Sequence, residues 1–176
     1  GKRERRVSNW ITTWDRVETI DVGILGVPLV KGGLLAAGVD STPNAIRKAM
    51  VYCTTYNPDL GVDIESLRVR HIGDIGLHTT DVLDSHRRIE SACGEIFKLA
   101  GDIVTVIIGG DGSITTPTVK ALRQATGMKL GIIQFDSRLD SRELSDAGPS
   151  DATPTRAVLE ADIGVTGANV VHIGSH

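Results

Sequence analysis

Apolar residues in this chain gather into short β-branched runs that end in Gly or Asp, separated by longer stretches with a helical repeat. Five runs read as strands: 19–26, 67–74, 103–108, 129–135 and 169–173. The second alternates polar and apolar positions, which predicts a place nearer a sheet edge. The third is apolar without alternation, which predicts cover on both faces. Helices are expected between the strands, at 42–50, 81–100, 116–126 and 154–160. The first opens with Thr42 and then Pro43, a capping residue followed by proline at the first helical position. The second is the clearest, with Val82, Ile89, Cys93, Ile96 and Ala100 on one face and Arg87, Arg88, Glu90 and Glu95 on the other.

Strand, helix, strand in repetition predicts an α/β fold whose sheet is mainly parallel with right-handed crossovers. Ligands in such sheets bind at the carboxyl ends of the strands. The loops after Gly26, Asp74, Ile108, Phe135 and Ile173 are therefore the places to look for chemistry. The stretch 141–153, rich in Ser, Asp, Gly and Pro, reads as a surface loop.

Composition narrows the function. The 176 residues suffice for one domain with a core, expected over 19–176 behind an N-terminal arm at 1–18. A net charge of −3 and 3% aromatics argue against a nucleic-acid partner, which usually needs basic excess or stacking platforms. The one basic cluster, Lys2, Arg3, Arg5 and Arg6, reads as a solvated terminus. No apolar stretch approaches the length of a membrane span or of a signal peptide core, so no membrane partner is expected. Cys53 and Cys93 form no close pair, which excludes a zinc knuckle and points to a reducing, cytoplasmic setting.

Two strand-end loops concentrate acids: Gly109-Gly110-Asp111-Gly112-Ser113, and the segment from Asp136 to Asp140 with Ser137, Arg138 and Leu139 between. Carboxylates gathered at strand ends suit a hard cation such as Mg or Mn. The plainer readings are a βα turn in which glycines supply positive φ and Asp111 or Ser113 caps the next helix, and a strand-end cap with an ion pair to Arg138 or Arg142. A phosphate cradle at that turn is a further possibility, although neither glycine-rich nucleotide motif is present.

The order of segments along the chain resembles the ureohydrolase (arginase/agmatinase/formiminoglutamase) superfamily. Gly26-Val27-Pro28, a Gly-rich loop and then 41–47 are similar to that family's entry segment, which leads into a G-P-x-A-I-R helix. Residues 72–76 resemble its second strand, 106–115 its G-G-D-H-S motif, 133–140 its F-D-A-H-x-D motif, and 150–156 its S-H-G-T-P-x-R segment. The resemblance implies a three-layer αβα fold with a mainly parallel sheet, here without the family's C-terminal part. It also implies a binuclear manganese site hydrolysing a guanidino or related amidine carbon, in a homotrimer or homohexamer.

By the same resemblance Asp136 and Asp140 are metal ligands. Gly112 and Arg138 stand where the family has its two ligand histidines, and Asp151, beside Ser150, where it has a substrate-side histidine. Glycine has no donor atom, and an arginine stays protonated and only donates. The expectation is a damaged manganese site in which Arg138 serves as an internal cation, in a non-catalytic regulatory or structural subunit. The alternative is an active manganese-dependent amidinohydrolase acting on arginine, agmatine or a guanidino acid. A third reading rests on the likeness of 109–113 to the G-G-D-G-T loop of NAD kinases and diacylglycerol kinases, which would make that loop a phosphate site. His71, His86, His78 and His172 read as structural or surface residues, with His78 the one placed to approach the cleft.

Overall fold

The structure, a computed structural model, describes residues 5–30, 38–78, 80–144 and 148–176. Along the chain run α1 (Val7–Trp10), β1 (Thr12–Thr13), β2 (Val22–Val27), α2 (Thr42–Ala49), β3 (Tyr56–Asn57), β4 (Val62–Asp63), β5 (Val69–Asp74), α3 (Val82–Ala100), β6 (Val104–Gly109), α4 (Thr115–Thr126), β7 (Ile132–Phe135), α5 (Pro154–Leu159) and β8 (Val170–Ile173). All five predicted strands and all four predicted helices are present, with ends displaced by up to three residues. The stretch expected to be an N-terminal arm contains α1 and β1, and its Trp10 and Ile11 are buried.

Local chemistry sets the helix ends. The Asp81 carboxylate accepts from the Asp84 amide at 2.8 Å, capping α3, and Gly101 ends that helix at φ +60°. Gly127 closes α4 in the left-handed region at φ +66°, its amide donating to the Arg123 carbonyl at 2.9 Å.

β1, β5, β2 and β6 form one parallel sheet in that order, and β7 and β8 form a separate parallel pair. β3 and β4 make a small antiparallel hairpin. β5 lies one strand in from the edge, beside the two-residue β1, in keeping with its alternation.

Side chains leave β2 on both faces. Leu25 and Val27 pack with Val82, Ile89, Cys93 and Ile96 of α3 and Ala121 of α4. On the other face Ile24 packs with Trp10, Ile11 and Val69, with Met50 beside them. β6 departs from its expected double cover. Ile107 meets the α3 side, but Val104 and Val106 are exposed on the other. The apolar run correctly marks a strand, and cover on its second face reaches Ile108, which packs against the Trp10 cluster, but not Val104 and Val106. Among the described residues both faces of β2 and β5 are thus covered, while β6 is covered on its second face only at Ile108.

Candidate active site

The entry segment and the second strand meet through one ion pair. Arg47 of α2 clasps Asp74 at the end of β5 with Nη1–Oδ1 at 2.7 Å and Nη2–Oδ2 at 2.5 Å. Gly26 makes room for it, since a Cβ there would lie 1.9 Å from Asp74 Oδ1. The Gly-rich stretch after Pro28 falls at 31–37, outside the described residues.

The turn after β6 is built for backbone contact. A Cβ at Gly110 would lie 1.8 Å from the Leu29 carbonyl oxygen, and one at Gly109 would lie 2.1 Å from Ile114 Cδ1. Neither glycine nor Gly112 has positive φ, so close approach, not left-handed geometry, is why small residues are needed here. The Gly110 amide donates to the Val27 carbonyl and the Asp111 amide to the Leu29 carbonyl, both at 2.9 Å. The Ser113 amide donates to Asp111 Oδ1 at 2.9 Å. The amides a phosphate would require are therefore engaged within the protein, which disfavours the kinase-like reading.

The second acidic loop folds onto the segment 150–156. The Thr155 amide donates to the Asp140 carbonyl at 3.0 Å, the Arg142 amide to the Ala152 carbonyl at 3.1 Å, and Arg156 Nε to the Ser141 carbonyl at 2.9 Å. Asp136, Arg138, Asp140 and Asp151 converge as a result. The Arg138 amide donates to Asp136 Oδ1 at 2.9 Å. Its guanidinium lies 3.3 Å from Asp140 Oδ1 and 3.3 Å from Asp151 Oδ2. Gly112 joins from the β6 side: a Cβ there would stand 3.4 Å from the Asp151 carbonyl oxygen, ordinary contact with room for a side chain.

Asp140 is the unusual member. Its backbone sits at φ +47°, and its side chain is only 4% exposed. Oδ2 accepts from Gln134 Nε2 at 3.2 Å, and Thr155 Oγ1 donates to Gln134 Oε1 at 3.1 Å, orienting that amide. Oδ1 is buried with no hydrogen bond and has the Arg138 charge beside it. Burial pushes the Asp140 carboxyl above its ordinary pKa; Arg138 opposes this, while Asp136 and Asp151 reinforce it. Arg138 is raised in turn, chiefly by Asp140.

Ser150, expected at the substrate, is engaged in the turn before α5. Its Oγ accepts from the Ala152 amide at 3.3 Å, and its amide donates to Thr153 Oγ1 at 3.0 Å. His78 is a loop cap, with Nδ1 accepting from the Thr80 and Asp81 amides at 3.3 and 3.1 Å. His86 is half-buried, and its Nε2 is one of the buried atoms without a hydrogen bond. Desolvation lowers its pKa, with Asp111 and Glu90 opposing and Lys120 adding to the effect. The sequence reading of His86 as a partly exposed helix residue agrees with this half-buried place in α3, although the buried Nε2 was not expected. Helical spacing carried a signal, because His86 follows Val82 by four positions.

Comparison with known proteins adds four findings. A family model for the arginase family matches residues 20–176. The formimidoylglutamase of Bacillus subtilis (strain 168) is 34% identical over 169 residues, which are 96% of this chain and 52% of that protein. The crystal structure of that species' formimidoylglutamase superposes with a TM-score of 0.88 at 32% identity, covering 98% of this chain and 53% of the other. A Trypanosoma cruzi formiminoglutamase structure with Mn2+ superposes with a TM-score of 0.83 at 26% identity, covering 98% and 58%. The chain thus spans about half the length of the relatives it matches.

Proposed function

The chain belongs to the arginase family, and from that premise we propose that its strand-end carboxylate cleft carries an internal cation, Arg138, in place of the family's metal, leaving a subunit impaired in amidine hydrolysis. The observation that carries this reading is the placement of the Arg138 guanidinium 3.3 Å from both Asp140 and Asp151.

The donors present do not fit a pair of manganese ions. Asp136 Oδ1 accepts from the Arg138 amide, Asp140 Oδ2 from Gln134, and Asp151 Oδ2 from the guanidinium, which leaves fewer lone pairs for a second cation. Gly112 offers no ligand atom. Among the described residues no group of three or more His, Cys, Asp or Glu side chains is disposed to hold a metal ion. A guanidinium cannot lend a lone pair, so it competes with a divalent ion for these carboxylates. Its side chain is 55% exposed, so each ion pair adds little to stability, about 0–1 kcal/mol. Its weight lies in relieving the buried charge of Asp140.

A second reading, an active manganese-dependent amidine hydrolase, is favoured by the names of the relatives and by the buried Asp140 Oδ1, which lacks a hydrogen bond. Metal analysis separates the two. The purified chain dialysed against manganese should retain no tightly bound pair of ions and should not hydrolyse formimidoylglutamate or guanidino compounds. Two tightly held manganese ions per chain would sink the internal-cation reading. Gly112→His with Arg138→His should raise manganese retention over the parent chain.

A further inference from the structure

One turn device recurs along this chain: a side chain accepts from the amides two and three residues further on. Asp15 Oδ1 accepts from the Val17 and Glu18 amides at 2.9 and 3.0 Å. Asn57 Oδ1 accepts from the Asp59 and Leu60 amides at 3.0 and 3.1 Å. His78 does the same with its ring, Nδ1 accepting from the Thr80 and Asp81 amides at 3.3 and 3.1 Å. Asp and Asn are the ordinary occupants of such turns, because a short side chain brings an oxygen to the right place. A histidine differs in one respect. Its Nδ1 accepts only while it carries a lone pair, and an imidazolium is a donor at both nitrogens.

The turn lies at the carboxyl end of β5, the end of a parallel sheet at which ligands bind, and leads into α3. Ile75 ties the start of this segment to β2, its amide donating to the Gly26 carbonyl at 2.9 Å. Ser85, fully buried on α3, clamps the backbone of His78: the His78 amide donates to Ser85 Oγ at 3.0 Å, and Ser85 Oγ donates to the His78 carbonyl at 3.1 Å. His78 itself is exposed, so its ring is open to protons from solvent. The charged groups around the turn are Asp81 and Asp84 of α3, Arg87 and Arg88 paired to Asp84 at 3.2 and 2.6 Å, and the Arg47–Asp74 clasp at the end of β5. Asp111 and Lys120 act on His86, further along α3. Both α3 carboxylates are already engaged, Asp81 by the Asp84 amide and Asp84 by its two arginines. They therefore offset little of the charge that an imidazolium brings against two amides and the positive end of α3.

We propose that His78 is a proton-sensitive latch, which holds the strand-end segment closed against α3 in neutral solution and releases it in mild acid. The sign follows from the hydrogen bonds. The neutral ring keeps both amides and the imidazolium keeps neither. The latch is therefore complete where histidine is neutral and is lost as pH falls through the range in which histidine takes up a proton, roughly pH 8 to 5. The device belongs to this turn alone and stands whether or not the cleft binds manganese.

The test is hydrogen exchange at the Thr80 and Asp81 amides, at about pH 8 and about pH 5.5, each referred to the intrinsic rate at that pH. It is run on the parent chain, on His78→Asn and on His78→Ala; the position is exposed, so neither variant disturbs the core. Between the two pH values protection in the parent should fall by about tenfold or more. Asparagine offers an oxygen to the same amides, as Asn57 does, and takes up no proton, so His78→Asn should be protected at both pH values. His78→Ala should be protected at neither. The amide of Cys93, in the buried part of α3, should keep its protection throughout. Undiminished protection of the parent in acid overturns the proposal. So does an asparagine variant that opens as the parent does, since another group such as His86 would then be responsible. An alanine variant as well protected as the parent at about pH 8 overturns it too, because the ring would not be the acceptor. A parallel loss at Cys93 would mean that the whole helix loosens, and counts equally against it.

Discussion

Gly26 and Asp74 show how much a single position can decide. The missing side chain at 26 leaves space for the carboxylate that Arg47 clasps. Gly26→Ala should therefore destabilise the chain by about 1–3 kcal/mol in chemical denaturation, because the new methyl and the carboxylate cannot share the site. In an Asp74→Ala background the same substitution should cost much less; an equal cost would show that the clash is not the cause. Cys93 makes a second residue-level prediction. It is fully buried, and burial pushes its thiol up to about 11, whereas Cys53 is exposed. A thiol reagent at about pH 8 should titrate one thiol in the folded chain and two after denaturation. Equal reaction rates for both would place Cys93 outside the core. At this scale the motifs were legible as a set: the residues at 112, 136, 138, 140 and 151 do converge in space. What could not be read was the reason for the glycines, since close approach to Leu29 involves a segment eighty residues away in sequence.

The starts of β2, β5 and β6 are tied together by one aspartate. The Asp21 carboxylate accepts from the Arg68 amide at 2.7 Å and pairs with its guanidinium, while the Asp21 carbonyl accepts from the Val104 amide at 3.1 Å. The Arg68 side chain, and then its amide, hold the Asp21 carboxyl down to about 2 from 3.8. A pKa depressed in the folded state gives stability that is full above the unfolded value and is lost as pH falls through the folded one. Melting temperatures measured between about pH 4 and pH 2 should therefore fall more steeply for the parent than for Arg68→Ala. Parallel curves would mean that the pair is inert. Elements of this length were legible because their periodicity spans several repeats. α1, β1 and the β3–β4 hairpin were not, because two to four residues carry no period. Trp10 and Ile11 alone hinted that the N-terminal stretch enters the core. The described part of the basic cluster is likewise anchored, with Arg5 3.2 Å from Glu65 and Arg6 donating to the Tyr52 carbonyl.

On the scale of the molecule, the parallel α/β architecture follows from the alternation of strands and helices, but the strand order does not. A run such as 103–108 says that both faces want cover and cannot say from where the cover comes. Among the described residues no helix is long and apolar enough to cross a membrane. The cleft at the strand ends has a different independence from its surroundings. Asp140 is oriented by its own left-handed backbone, by the Thr155 amide on its carbonyl and by Gln134 on its carboxylate. None of those three supports belongs to Arg138. A chain that exchanged this arginine for a neutral residue would keep the acid aimed at the same point, now with nothing to answer its charge. The scaffold thus holds a standing demand for positive charge, and which ion or side chain meets that demand is left to the residues around it.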